Sequence, residues 1–350
     1  MTRPNPTVFD GHNDTLLRIV MDRRKGREID FLAGVEGYHI DLPKAQAGGL
    51  AGGLFAMFSP NPDSLSSALG GKPAMGNPIS QEVAEDFTYA MMDAGDEIVA
   101  QSGGAVRHCT SAAEIRTAMQ EGALAMVYHI EGAEVIAPDL GNLDALYTRG
   151  LRSVGPVWSR DNVFAHGVPF SFPASPDHGP GLTAQGEDLV RACNAKGLML
   201  DLSHLNEKGF WDIARLSDKP LVASHSNVHA LSPTPRNLTD RQLDAIAESG
   251  GLVGLNFAVG FLREDGNHGR TDTPIAQMIA HLDYLLEKLG EAGVGIGSDF
   301  DGASMPREIG DARGLPLLVA AMAEAGYGED LIARITHGNW IDLLERTWVA

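Results

Sequence analysis

"TAQGEDLVRACNAKGLMLDLSH", residues 183–204, reads as two elements joined end to end. Thr183 stands where a helix N-cap belongs, and Gly197 closes the helical pattern that follows it. Straight after that glycine comes a short apolar run, "LMLDLSH", which ends in His204. A capped helix that feeds directly into a short buried strand is half of a βαβ crossover. How often the unit recurs decides the fold.

It recurs along the whole chain. Working outward, the apolar runs are "TVFDGH" (7–12), "GLAGGLFAMFS" (49–59), "ALAMVYHIE" (123–131), "LRSVGPVW" (151–158), "LMLDLSH" (198–204), "LVASHS" (221–226), "GLVGLNF" (251–257) and "VGIGSDFD" (294–301). Helix-like stretches separate the later ones, for example "TDRQLDAIAESGG" (239–251) and "PIAQMIAHLDYLLEKLG" (274–290). Eight such units predict an α/β protein, a (β/α)8 TIM-type barrel. Residues 18–48 and 60–80 must then hold insertions after the first two strands. Beyond the eighth run, "GLPLLVAAMAEAG" and "EDLIARITHGNWIDLLERTW" read as closing helices. No linker divides the chain, so residues 1–350 are expected to form a single barrel domain.

Composition narrows the function classes. The chain is 43% hydrophobic and 21% charged, with a formal net charge of -19. That balance suits a large core and argues against nucleic acid or an anionic membrane as partner. Two cysteines, Cys109 and Cys193, offer neither a disulfide framework nor a thiolate-rich metal site. The start "MTRPNPTVFDG" carries no apolar signal segment, and no run is long enough to span a bilayer, so a reducing cytoplasm is the expected compartment.

In a barrel of this type, functional groups gather at the C-terminal ends of the strands. The first run ends in His12 and Asp14, the third in Glu131, the fifth in His204, the sixth in His225, the eighth in Asp299 and Asp301. His12 and Asp14, two apart in an extended strand, point the same way. Five strands thus deliver metal-capable side chains to one rim. Imidazole and carboxylate without thiolate suit zinc, or manganese or cobalt. The set exceeds what one four-coordinate ion needs. A Glu131 that gives one oxygen to each of two ions, with a bridging water or hydroxide between them, accommodates it. Of the other histidines, His129 is expected one layer deeper as a buried hydrogen-bonding group. His166 and His229 sit in loops near the mouth. The remainder are read as structural or solvated.

"DGHNDTL", "HIEGAE", "LDLSH", "SHSNVHALSPTPRNLTD" and "GIGSDFDG", in this order, resemble the membrane dipeptidase (renal dipeptidase) family of amidohydrolase-like zinc peptidases. The resemblance spans nearly the whole chain. It implies one zinc held by His12, Asp14 and Glu131, and a second held by the same Glu131 with His204 and His225. It further implies that Asp299 moves the proton and that Arg236 binds the substrate carboxylate. The wider group often bridges its metals with a carbamylated lysine on strand four; "LRSVGPVW" has no lysine, in keeping with Glu131 as the bridge.

One departure stands out. Family members carry a histidine near the end of strand four that contacts the scissile carbonyl, whereas here "SVGPVWSRDN" places Pro156 there. Proline has no donor. Arg160, in the loop that follows, is the candidate that reaches the oxyanion or an acidic substrate side chain. The expected activity is hydrolysis of short dipeptides, including those with a D-residue at the C-terminal position, over a narrower range than the family norm. The expected partners are a small dipeptide-like substrate and a second copy in a homodimer. Two alternatives remain: another metal-dependent amide hydrolase, acting on an N-acyl amino acid or lactam, or a catalytically impaired metal-binding homologue.

Overall fold

The computed structural model describes residues 6–62 and 76–348. Its framework is a set of parallel strands: β1 Val8–Asn13, β2 Leu50–Phe58, β3 Val106–His108, β4 Leu124–Glu131, β5 Leu151–Gly155, β6 Met199–Leu200, β7 Val222–Ala223, β8 Leu252–Leu255 and β9 Val294–Ile296. All but β3 follow one another around a nearly closed barrel, in the order β6-β5-β4-β2-β1-β9-β8-β7. The gap between β6 and β7 is spanned by a parallel bridge, Asp201 to Val222, where the Leu202 N–H donates to the Val222 carbonyl at 2.7 Å. The barrel strands fall one for one on the apolar runs, and flanking helices complete a (β/α)8 TIM-type fold.

Side-chain alternation explains why the runs make barrel strands. Along β4, Leu124, Met126, Tyr128 and Ile130 join the cluster that lies between strands and helices. Ala125 and Val127 join a separate cluster with Phe9, Leu54, Met199, Val222 and Leu252, which is the barrel interior. Glu131 continues this inward face at the rim. Trp340, on the helix Asn339–Thr347, belongs to the same interior cluster, and its indole N–H donates to the Ile296 carbonyl at 2.7 Å. That helix closes the opposite end, as the closing-helix reading expected.

Local signals set the helix ends. The Thr183 hydroxyl accepts the Gly186 N–H at 3.0 Å, and Gly197 takes the left-handed conformation (φ 65°) that ends the helix Ala184–Lys196. The first insertion holds the helices Thr15–Arg24 and Leu42–Gly48 ahead of β2. Most of the second, residues 60–80, lies outside the described residues. The helices Gln81–Gln101 and Ala112–Gln120 follow it, with β3 between them. This extra strand pairs Val106 with Leu124 at the base of β4. No apolar run announces it, because only Val106 of its three residues is buried. Among the described residues no helix is long and apolar enough to cross a membrane.

Candidate metal centre

The C-terminal ends of β1, β4, β6, β7 and β9 converge on one rim, as parallel pairing requires. There the Glu131 carboxylate divides two groups of side chains able to ligate a metal. Its Oε1 lies 2.9 Å from His204 Nε2 and 3.4 Å from His225 Nε2. Its Oε2 faces His12 Nε2 at 3.7 Å, and that nitrogen in turn lies 3.4 Å from Asp14 Oδ2. All five groups are buried, Glu131 with only 4% of its surface exposed. Asp14 occupies the N-cap position of the helix Thr15–Arg24, yet its side chain makes no capping bond and stays free for the site.

The donor set fits metal ions. Neither ring nitrogen of His12 has a hydrogen-bond partner among the described residues, although both are buried. The Nε2 atoms of His204 and His225 face each other at 3.1 Å. Behind each ring a serine takes the other nitrogen: Ser159 Oγ at 2.7 Å from His204 Nδ1, and Ser224 Oγ at 2.7 Å from His225 Nδ1. Ser224 Oγ donates onward to Asp201 Oδ2 at 2.5 Å, so its lone pair is left to accept from His225 Nδ1–H. The Nε2 lone pair of His225 is thereby aimed at the centre.

Electrostatics agree. Burial drives the imidazoles toward their neutral, ligating form: His12 falls to about 4, and His204 and His225 fall well below the ordinary value. Burial, helped by neighbouring carboxylates, raises Asp14 to about 7 and lifts Glu131 well above its usual range. Carboxylates crowded this closely resist ionisation unless a cation joins them. Nitrogen and oxygen donors without thiolate suit zinc-like ions.

Asp299 lies beside this cluster. Its Oδ2 accepts from Asn256 Nδ2 at 3.1 Å, and burial raises it to about 6. The backbone there is unusual. His204, Asp299 and Asp301 all adopt positive φ (67°, 62° and 65°), a region that non-glycine residues enter at a cost. Gly302 permits the turn: a Cβ on it would stand 2.0 Å from Asp14 Oδ2 and 2.6 Å from Asp299 Oδ1. Asp301, the other acid of that strand end, turns away. It accepts from the His39 N–H at 2.7 Å and the Thr15 hydroxyl at 2.8 Å, and so ties down the first insertion.

Arg236 is buried against the centre. Its Nη2 donates to the His225 carbonyl at 3.0 Å, its Nε has no partner among the described residues, and its guanidinium stands 5.2 Å over the Phe261 ring. Burial lowers it to about 10 while Asp299 and Glu131 pull the other way. Arg160 is also buried: Nε donates to Glu134 Oε1 at 2.5 Å and Nη2 to the Ser59 carbonyl at 2.7 Å, while Nη1 has no partner among the described residues. Pro156 offers only its carbonyl, which accepts from Asn162 Nδ2 at 2.8 Å. From this strand end it is Trp158 and Ser159 that reach the ligands, the indole standing 5.6 Å from the His204 ring. A cavity of about 530 Å³ opens here, lined in part by Trp158, Ser159, Arg160 and Phe170.

His129 sits beneath the centre as a buried hydrogen-bonding group, with Nδ1 at 2.8 Å from Ser153 Oγ. His229 Nε2 bonds the Ala174 carbonyl at 3.0 Å, and His166 pairs with Asp161 at 3.1 Å. Sequence reasoning assigned no role to Asn256, Asp201, Ser224 or Ser159. All lie inside or beside quoted motifs, but their pairings cross between strands.

A rim of buried imidazoles and carboxylates on a (β/α)8 barrel defines a candidate metal centre. The chain belongs to the membrane dipeptidase family: residues 4–348 match the family described as "Membrane dipeptidase (Peptidase family M19)". It is 46% identical over 263 residues to a Klebsiella pneumoniae protein named "Uncharacterized protein in pqqA 5'region", covering 75% of this chain and 97% of that protein. A crystal structure of a metallo peptidase from Rhodobacter sphaeroides, liganded with a phosphinate mimic of the dipeptide L-Ala-D-Ala, is 49% identical with a TM-score of 0.92, covering 99% of this chain and 100% of that one. The probable dipeptidase PvdM from Pseudomonas aeruginosa shares the fold at 24% identity and a TM-score of 0.82, covering 98% of this chain and 96% of that one. The chain is thus a metal-dependent peptidase.

Proposed function

We propose that the chain is a binuclear zinc dipeptidase that accepts substrates with a D-residue at the C-terminal position. The observation that carries this reading is the division of Glu131, one oxygen toward His204 and His225 and the other toward His12. His12, Asp14 and Glu131 would hold one ion, and Glu131, His204 and His225 the other. Bound ions of this kind polarise a carbonyl and acidify a water near neutral pH.

The chain's own groups do the rest. Asp299, raised to about 6, takes the proton from the attacking water and returns it to the leaving amine nitrogen. Asn256 fixes the carboxylate that does so. Arg236, with Nε unpartnered, receives the terminal carboxylate of the substrate and favours short peptides with a free C-terminus. Arg160 contributes its Nη1 group, which has no partner among the described residues, at the cavity wall. The bound L-Ala-D-Ala mimic of the Rhodobacter relative supports a dipeptide substrate with a D-residue in second place.

The test is a panel of L,L- and L,D-dipeptides and N-acyl amino acids offered to zinc-loaded protein. Turnover of L,D-dipeptides is expected, over a narrower range than the family norm and with ordinary L,L-dipeptides cleaved poorly. Turnover of N-acyl amino acids alone, or efficient cleavage of the whole L,L panel, would overturn this reading.

A further inference from the structure

Phe170 is half exposed (50%), an unusual setting for a large apolar ring on a folded surface. Its surroundings are specific. The ring centroid lies 5.2 Å from Trp158, 6.3 Å from the His204 ring, and 6.4 Å from Phe261, with which it is nearly parallel (7°). Phe261 in turn carries the Arg236 guanidinium on its face. Phe170 therefore spans the distance between a ligand histidine and the arginine assigned to the substrate carboxylate.

The segment that bears it is anchored on both sides. The Val168 N–H donates to the His204 carbonyl at 2.8 Å, and the Ala174 N–H donates to the carbonyl of Pro233, three residues before Arg236, at 2.9 Å. Phe172 packs onto Gly266, where a Cβ would meet its ring at 2.4 Å. Of the two exposed rings on this strap, Phe172 (38%) lies against Gly266, and Phe170 is the one that stands beside His204 and Phe261.

We infer that Phe170 is the specificity-determining residue for the C-terminal residue of the substrate. With the carboxylate on Arg236 and the scissile carbonyl at the metal rim, the side chain of that residue packs against Phe170 and Phe261. The site takes apolar C-terminal side chains and binds glycine there weakly. This rests on the dipeptidase reading above.

The experiment compares wild-type, Phe170→Ala and Phe170→Leu protein on dipeptides with a fixed N-terminal alanine and a C-terminal Gly, Ala or Leu, together with calorimetric binding of phosphinate mimics of the same series. Phe170→Ala should raise KM and Kd by about tenfold for the Leu compounds, and by progressively less for Ala and Gly, with Phe170→Leu restoring most of the loss. Val163→Ala, an exposed apolar change in the same loop, is the control and should leave the series unchanged. An equal loss for all three compounds, or none, overturns the inference while the dipeptidase reading stands. A wild-type protein that neither cleaves nor binds any of them removes both.

Discussion

His204 and His225 approach nitrogen to nitrogen at 3.1 Å, each held from behind by a serine hydroxyl and each facing the same oxygen of Glu131. Two neutral imidazoles so placed cannot satisfy each other and a carboxylate at once. A cation between them resolves the conflict. Protein purified with zinc present should carry two ions per chain by elemental analysis. His225→Ala should lower that count, and chelation should abolish hydrolysis. A count of one ion or fewer after zinc supplementation would remove the second site.

Loosening the support should weaken metal binding without touching a ligand. Ser224→Ala cuts the link from His225 through Ser224 to Asp201. Metal affinity should fall about 10–100-fold, the usual scale for outer-shell partners, as measured by competition with a chromogenic chelator. Unchanged affinity would mean that packing alone orients His225.

Acidity should act through the carboxylates. In the metal-free protein Asp10 and Asp14 stand at about 7, against an ordinary value of 3.8. A folded-state value raised in this way favours the protonated fold, so the stabilisation is complete below the ordinary value and is lost as pH climbs to about 7. His12 and His129, lowered from 6.5 to about 4, run the other way: their contribution is present above 6.5 and lost as pH falls toward 4. Above 6.5 only the carboxylate effect remains, and metal-free protein should lose stability there. Zinc, which competes with protons for Asp14 and Glu131, should bind more weakly as pH drops below about 7. Melting curves with and without zinc should therefore diverge as pH rises from about 5 to 8. A constant gap would contradict the assignment.

Asp299→Asn keeps the shape and the hydrogen bonds but removes the base. It should retain both ions and lose at least about 10²-fold in kcat. Loss of metal alongside activity would make Asp299 chiefly a ligand.

Arg160 and Glu134 form a buried ion pair with side-chain exposures of 0% and 4%. Arg160→Ala strands the Glu134 carboxylate and should cost about 3–5 kcal/mol of stability. Denaturant melts of Arg160→Ala and of Arg160→Met with Glu134→Leu would check this, the double change recovering much of the loss. Equal stability in all forms would show that the pair contributes little to folding.

Much of this protein is legible in one dimension because the signals involved are local. Alternation in "ALAMVYHIE" and the Thr183 and Gly197 caps depend on neighbours a few residues away, and they locate the strands, their inward faces and the helix ends. Strand ends then name His12, Asp14, Glu131, His204 and His225, because parallel strands must bring those ends to one rim. What lies between strands remote in sequence is decided only by the closed barrel. Asp299 and Asp301 are two residues apart on the same strand end, yet one faces the cluster and the other the His39 backbone, a choice made by two residues at positive φ. Arg160 reads in the sequence as a loop donor toward the oxyanion or an acidic substrate side chain, and only the fold of the loop after β5 buries it on Glu134. Phe170 carries no mark in the sequence at all. Its place over the rim comes from hydrogen bonds to His204 and Pro233, whose distances from it in the chain no local pattern encodes.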